Sequence, residues 1–83
     1  MSARRSLVIG GLGFIGVNLA DRLLTAGDDV TLVTPNRSRH EVRAAAFADR
    51  GAHIVEGDLR DRDAMARGVA GQHVVFKIGR AHV

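Results

Sequence analysis

Three glycines near the amino terminus have a spacing that can bind a phosphate group. Gly10, Gly13 and Gly16 form a Gly-x-x-Gly-x-x-Gly pattern between the apolar run 7–9 and a stretch with apolar residues at helical spacing. Such glycines indicate a dinucleotide site when they join a strand to a helix. The first permits a tight turn, the second lets a pyrophosphate approach the backbone, and the third lets the helix pack closely. The free N–H groups of the first helical turn can then bind the anion.

The apolar residues after the glycines predict an amphipathic helix. Ile15, Leu19 and Leu23 recur every four residues, with Leu24 beside them, so we expect these side chains to form its buried stripe. Gly27 is expected to end the helix in the left-handed conformation.

A repeating unit of helix, glycine and apolar strand organises the rest of the chain. Gly27, Gly51 and Gly71 each precede the apolar part of a predicted strand by three residues. The alternation predicts an α/β fold with a parallel sheet and right-handed crossovers. We expect a Rossmann-like sheet of order 3-2-1-4, truncated after strand four. The predicted strands are 7–9, 30–33, 53–56 and 74–76, and the later helices are one opened by a Ser38–Glu41 capping box and a short one over 61–69.

The short helix 61–69 bears on how the sheet is covered. At 3.6 residues per turn it is too short to cover four strands, and a parallel sheet needs cover on both faces. We therefore expect an exposed apolar patch on that face, centred on the first strand.

The glycine segment resembles the fingerprint of a known family. The sequence GGLGFIG at 10–16 is similar to that of the extended short-chain dehydrogenase/reductases, the NAD-dependent epimerase/dehydratase family. The resemblance covers 7–76, the cofactor half of such a protein. It implies a Rossmann fold, bound NAD or NADP, a nucleotide-sugar substrate and a parent enzyme that can be a homodimer. It assigns cofactor contacts to Gly10, Gly13, Phe14, Ile15 and Gly16.

The end of the second predicted strand bears on the choice between NAD and NADP. A dinucleotide site usually has an acid there that binds the ribose hydroxyls, but this chain has Thr34. Arg37 and then Arg39 follow, and an arginine there can hold the 2′-phosphate of NADP. We therefore favour NADP over NAD, with solvated arginines as the alternative.

The loop after the third predicted strand resembles the family's Asp-Leu or Asp-Val. In the family the aspartate contacts the adenine amino group and the next residue's backbone lies against the ring, which assigns these roles to Asp58 and Leu59. The alternative is that Asp58 only forms a turn.

The family's catalytic residues are not in this sequence. The Tyr-x-x-x-Lys motif needs a tyrosine, which the chain lacks, and its only lysine is Lys77. The sequence therefore predicts a cofactor-binding fragment that is itself inactive. A fragment of a reductase acting on a non-sugar carbonyl is one alternative, and a non-catalytic module that senses NADP is another.

The last residues of the chain have a second explanation. Residues 78–83 are those encoded by ATC GGA AGA GCA CAC GTC, which matches a common sequencing adapter. The hypothesis is that 1–76 is an NAD(P)-binding half-domain and 77–83 is a non-native tail.

Composition excludes several other functions. Twelve Lys and Arg residues against nine acids give a net charge of +3, but the basic residues are scattered among acids and the only aromatics are three phenylalanines. This argues against nucleic-acid binding. The absence of cysteine fits a reducing compartment, the cytoplasm, and the histidines lack metal-ligand spacing. The apolar amino-terminal run is too short and glycine-rich to span a membrane.

Overall fold

The part of the chain that the structure describes contains a four-stranded sheet with two helices packed on it. A computed structural model of the chain describes residues 3–10, 13–35, 38–57, 63, 66 and 69–77. The first helix contacts the first two strands, and the second helix contacts the third. The elements are β1 (Arg5–Ile9), α1 (Phe14–Thr25), β2 (Asp29–Thr34), α2 (Glu41–Asp49), β3 (His53–Glu56) and β4 (Val74–Lys77).

The sheet has the order β3-β2-β1-β4, and every adjacent pair is parallel. Val8 of β1 lies opposite Leu32 of β2 on one side and Phe76 of β4 on the other. The predicted Rossmann-like order is confirmed. The strand order reverses at β1, and in open α/β sheets ligands bind outside the carboxyl ends of the strands at this switch point.

The larger core lies between the sheet and the two helices. Successive strand residues face opposite sides of a sheet, and Val8, Val30 and Leu32 share the face that the helices cover, each with 0% exposure. Burying side chains of this size is the main contribution to the stability of the fold. The buried members of this core are Val8, Ala20, Leu23, Val30, Leu32, Ala44, Phe47 and Ala52.

The buried stripe of α1 differs from the predicted one. Ile15 is 66% exposed, whereas Gly16, Ala20 and Leu23 are buried. Two of these three are small, so the helix meets the sheet through residues with little or no side chain. Ile15 lies one residue from Gly16 and is rotated by about 100° away from the sheet, since 3.6 residues complete a turn. The prediction that Ile15 belongs to the core is wrong.

The opposite face of the sheet has a smaller core. Leu7, Ile9 and Val33 form it and are all buried. An exposed patch centred on β1 was expected here, and that expectation is wrong, because the central strand is covered. The exposed apolar side chains on this face lie instead on the outer strands: Val55 of β3 is 44% exposed and Val75 of β4 is 40% exposed.

Both helices end in the same glycine motif. Gly27 and Gly51 have φ values of +91° and +93°, a conformation that costs glycine little. After α1, the Gly27 N–H donates to Leu24 C=O and the Asp28 N–H donates to Leu23 C=O. This is the Schellman pattern, and the same two bonds recur after α2. The predicted glycine ends are confirmed.

The start of α2 differs from the predicted capping box. Residues Ser38–His40 form a 3₁₀ turn and α2 begins at Glu41, with no side-chain hydrogen bond at its N-cap, His40. A capping box needs its serine at the N-cap, next to the first helical residue. Ser38 lies two residues too early because the 3₁₀ turn intervenes. Of the short helix predicted over 61–69, the described residues Asp63, Ala66 and Val69 are helical.

The turn between α1 and β2 is tied to β1 by Asp28. The Ser6 hydroxyl donates to Asp28 Oδ2 at 2.6 Å, and Arg4 Nε donates to the same oxygen at 3.0 Å. Ser6 is fully buried and the Asp28 side chain is 7% exposed. The Ser6 hydrogen bond lowers the pKa of Asp28, burial opposes this, and Arg4 lowers the pKa further.

Acid should remove the stabilisation that Asp28 provides. The pKa of Asp28 is lower in the folded chain than in the unfolded chain, where it is about 3.9. The ionised carboxylate therefore stabilises the fold above that pH, and this contribution is lost as pH falls through the folded-state pKa. We expect the thermal midpoint of Asp28→Asn to lie below that of the parent at about pH 6 and to converge with it near about pH 2. A difference that stays constant across this range would contradict the assignment.

Candidate cofactor site

The site begins where β1 turns out of the sheet at Gly10. The Gly10 N–H donates to Val33 C=O at 2.7 Å, which extends the pairing of β1 with β2 by one bond. Gly10 then adopts a φ of +85°, which side-chain-bearing residues rarely take. The predicted tight turn at this glycine is confirmed, and it directs the chain towards α1.

Gly13 is the N-cap of α1 and is not strained. Its φ and ψ are −77° and 174°, which any residue can adopt, and its C=O accepts the first helical bond from Val17 N–H at 2.8 Å. A Cβ built on Gly13 would find its nearest described neighbour, the Gly10 oxygen, at 3.7 Å, an ordinary contact. Neither backbone conformation nor these neighbours therefore require glycine at this position. A group that approaches the backbone from outside would require it, as a dinucleotide pyrophosphate does.

The first turn of α1 suits an anion. Its residues, 14–17, include no acidic side chain, and among the described residues no side chain caps the N–H groups at its start. These N–H groups and the helix dipole together favour negative charge. Gly16 is buried in this turn, in agreement with close packing of the helix on the sheet.

The carboxyl ends of β2 and β3 lie beside this turn. Thr34 ends β2 with 2% exposure, and its C=O accepts a hydrogen bond from Gly57 N–H, just after β3, at 2.9 Å. The position at which such sites usually have an acid is thus held by a buried threonine. The residues predicted to bind the 2′-phosphate of NADP follow Thr34 in the sequence, and those predicted to contact adenine follow Gly57.

The structure describes part of the predicted cofactor site. It brings Gly10, Gly13 and Gly16 together at the turn, with Ile15 exposed next to them. Phe14 begins α1, and its side chain lies outside the described residues, as do Arg37, Asp58 and Leu59 as a whole.

A groove beyond β2 adds a residue that the sequence interpretation did not single out. It has a volume of about 470 Å³ and is lined by residues 38–43. Arg39, named above as a second candidate for the 2′-phosphate, lies in it together with Arg43. Arg37, Arg39 and Arg43 are close together in sequence, and this cluster of basic residues could have indicated Arg43.

The described part of the chain has neither a metal-binding cluster nor a membrane-spanning helix. There, no three His, Asp or Glu side chains are grouped so that they could hold a metal ion. Within the same residues, no helix combines the length and the apolar character that crossing a bilayer requires.

Comparisons with known protein sequences agree with this geometry. The model of the NAD dependent epimerase/dehydratase family matches residues 6–83. The chain is 40% identical over 81 residues to the low-salt glycan biosynthesis protein Agl12 of Haloferax volcanii, covering 93% of this chain and 26% of that protein. It therefore spans about a quarter of the length of this curated relative.

Solved structures share the fold. Pen from Bacillus thuringiensis aligns with a TM-score of 0.87 at 20% identity, over 99% of this chain and 26% of that one. AtPrR2, solved with NADP⁺ and (+)pinoresinol, aligns at 0.84 and 24% identity, over 98% of this chain and 27% of that one. The TT0495 protein from Thermus thermophilus aligns at 0.72 and 28% identity, over 96% of this chain and 35% of that one.

Proposed function

This chain belongs to the NAD-dependent epimerase/dehydratase family, and from that premise we propose that it is the NAD(P)-binding segment of a nucleotide-sugar epimerase or dehydratase. The observation that carries the proposal is Gly13, where neither the backbone conformation nor the described neighbours require glycine. The glycan biosynthesis relative supports a sugar substrate. The proposed setting is the cytoplasm, with a parent enzyme that can be a homodimer.

In this proposal the segment binds and orients the cofactor. When bound, the nicotinamide supplies hydride transfer to and from a sugar carbon. Gly10 turns the chain away from β1, Gly13 leaves room for the pyrophosphate, and the N–H groups at the start of α1 hold its charge. Ile15 is exposed next to these glycines, and the family resemblance adds Phe14 as a cofactor contact. By the family resemblance, Asp58 would contact the adenine amino group and the backbone of Leu59 would lie against the ring.

The proposed preference is for NADP. A carboxylate at the end of β2 would bind the 2′-hydroxyl of NAD and repel the 2′-phosphate of NADP, but the residue there is Thr34, which is uncharged and 2% exposed. Three arginines follow Thr34 in the sequence and supply positive charge for the 2′-phosphate. They are Arg37, and Arg39 and Arg43 from the groove beyond β2. A guanidinium can bind a phosphate through two parallel hydrogen bonds.

Replacing Arg37 with alanine should weaken NADP binding selectively. A hydrogen bond to a charged group contributes about 1.5–3 kcal/mol, so the dissociation constant for NADP should rise roughly 10- to 100-fold while that for NAD stays nearly constant. Titration of the chain with NADPH and NADH, followed by nicotinamide fluorescence, measures both. Arg22→Ala, a charge-matched change in the last turn of α1, is the control. Equal losses for both cofactors would show that Arg37 does not bind the 2′-phosphate.

The nature of the parent protein needs a separate experiment. Two alternatives share the cofactor site, namely a reductase for a non-sugar carbonyl and a non-catalytic NADP sensor. The gene sequence downstream of this segment distinguishes an enzyme from a sensor, because the enzyme needs Tyr-x-x-x-Lys. Turnover of nucleotide sugars by the full-length product then separates the sugar enzyme from the reductase. A downstream region without that motif, or full-length protein inert towards nucleotide sugars, would contradict the proposal.

A further inference from the structure

His73 joins β4 to β1 through two hydrogen bonds at the end of the sheet where the strands begin. Its N–H donates to Arg5 C=O at 2.9 Å, and its ring Nδ1 accepts from Arg5 N–H at 3.0 Å. These bonds precede the first paired residues of the two strands, Ser6 and Val74. The ring nitrogen thus takes the place of a backbone acceptor and extends the pairing by one residue.

The second bond depends on the protonation state of the ring. A neutral imidazole has one N–H donor and one bare acceptor nitrogen. Because Nδ1 accepts from Arg5, the hydrogen of the neutral ring lies on Nε2. A protonated imidazole donates from both nitrogens, so Nδ1–H would then face the Arg5 N–H donor. The two donors cannot bond to each other, and the Arg5 N–H would lose this acceptor.

Charged residues of β1 and β2 lie near His73. It lines a pocket of about 270 Å³ together with Ala3, Arg5 and Asp29. Asp29 Oδ1 lies 3.2 Å from Nε2 of His53 on β3. The pocket is at the opposite edge of the sheet from Gly10, so it is separate from the proposed cofactor site.

We propose that His73 is a pH-sensitive clasp that fastens the start of β4 to β1 when its imidazole is neutral and releases it on protonation. Among the described strands, β4 pairs only with β1, so no second described strand holds its start in place. The clasp is therefore closed while the imidazole is neutral and open once both ring nitrogens carry a proton. This inference does not depend on the proposed function.

The clasp can be observed directly by NMR in the uniformly ¹⁵N-labelled 83-residue chain. An N–H···N hydrogen bond gives a scalar coupling between its two nitrogens, here Arg5 N and His73 Nδ1. We expect this coupling at about pH 8 and its disappearance at about pH 5. Protection of the Arg5 amide against hydrogen exchange, corrected for the intrinsic effect of pH, should fall roughly three- to tenfold over the same range.

Two substitutions at His73 and one control separate the clasp from other effects of pH. In His73→Asn the amide oxygen lies where Nδ1 lay and accepts without titrating, so Arg5 protection should stay high at both pH values. In His73→Ala it should be low at both. His53→Asn removes the other histidine at this edge and should keep the parent's response. The absence of the coupling in the parent at about pH 8 would overturn the proposal. So would a pH response of Arg5 protection in His73→Asn that equals the parent's. If a variant does not fold, the coupling measured in the parent alone tests the proposal.

Discussion

Replacing Gly13 with valine should abolish dinucleotide binding while the chain still folds. Gly13 has a φ of −77°, and a Cβ there would lie 3.7 Å from its nearest described neighbour, so neither the backbone nor the described neighbours exclude a Cβ at this position. A bound pyrophosphate would need the same space. A side chain in that space excludes the pyrophosphate from the backbone, so we expect no measurable binding of NADPH or NADH.

The control for this prediction is Gly27, where the backbone conformation favours glycine but no ligand is expected to approach. Gly27 has a φ of +91°, and no described atom lies within 4 Å of the place that a Cβ would occupy. Alanine there therefore strains the backbone by about 1–2 kcal/mol without touching the site. Gly27→Ala should lower the thermal midpoint but keep the affinity of the folded fraction. Gly13→Val should keep the thermal midpoint close to that of the parent but lose the affinity for both cofactors. A Gly13→Val chain that binds as tightly as its parent would refute the site assignment.

Replacing Leu32 with alanine should unfold most of the chain. Leu32 is fully buried at the centre of the larger core, on β2 between β1 and β3. Leucine-to-alanine changes in cores cost about 2–5 kcal/mol. A chain of this size buries only about 60% of its unfolded surface and has little stability to lose. Urea unfolding followed by circular dichroism should therefore show no native baseline, or a midpoint lowered by more than half.

Val42→Ala is the matched control for Leu32. Val42 is 85% exposed on α2, and surface changes usually alter the free energy of unfolding by less than about 0.5 kcal/mol. If the Val42 variant were as destabilised as the Leu32 variant, the assignment of the core to the sheet face covered by α1 and α2 would be wrong.

Local sequence determined the helix ends and the strand order. Gly27 and Gly51 end their helices because a left-handed φ depends on the residue itself and not on distant contacts. Likewise, the turn at Gly10 follows from the residue type at the end of an apolar strand. The order 3-2-1-4 followed from the alternation of strands and helices, because right-handed crossovers leave few arrangements for a parallel sheet.

Tertiary structure decided which side chains are buried and which polar groups are paired. Ile15 has the right spacing for the core, yet Gly16 and Ala20 face the sheet, because contact with the strands selects the side of a helix that packs most closely. The bond from Ser6 to Asp28 and the bond from Arg5 to His73 join residues 22 and 68 positions apart. No local pattern specifies such pairs, since they form only when the parallel strands bring the starts of β1, β2 and β4 to the same edge.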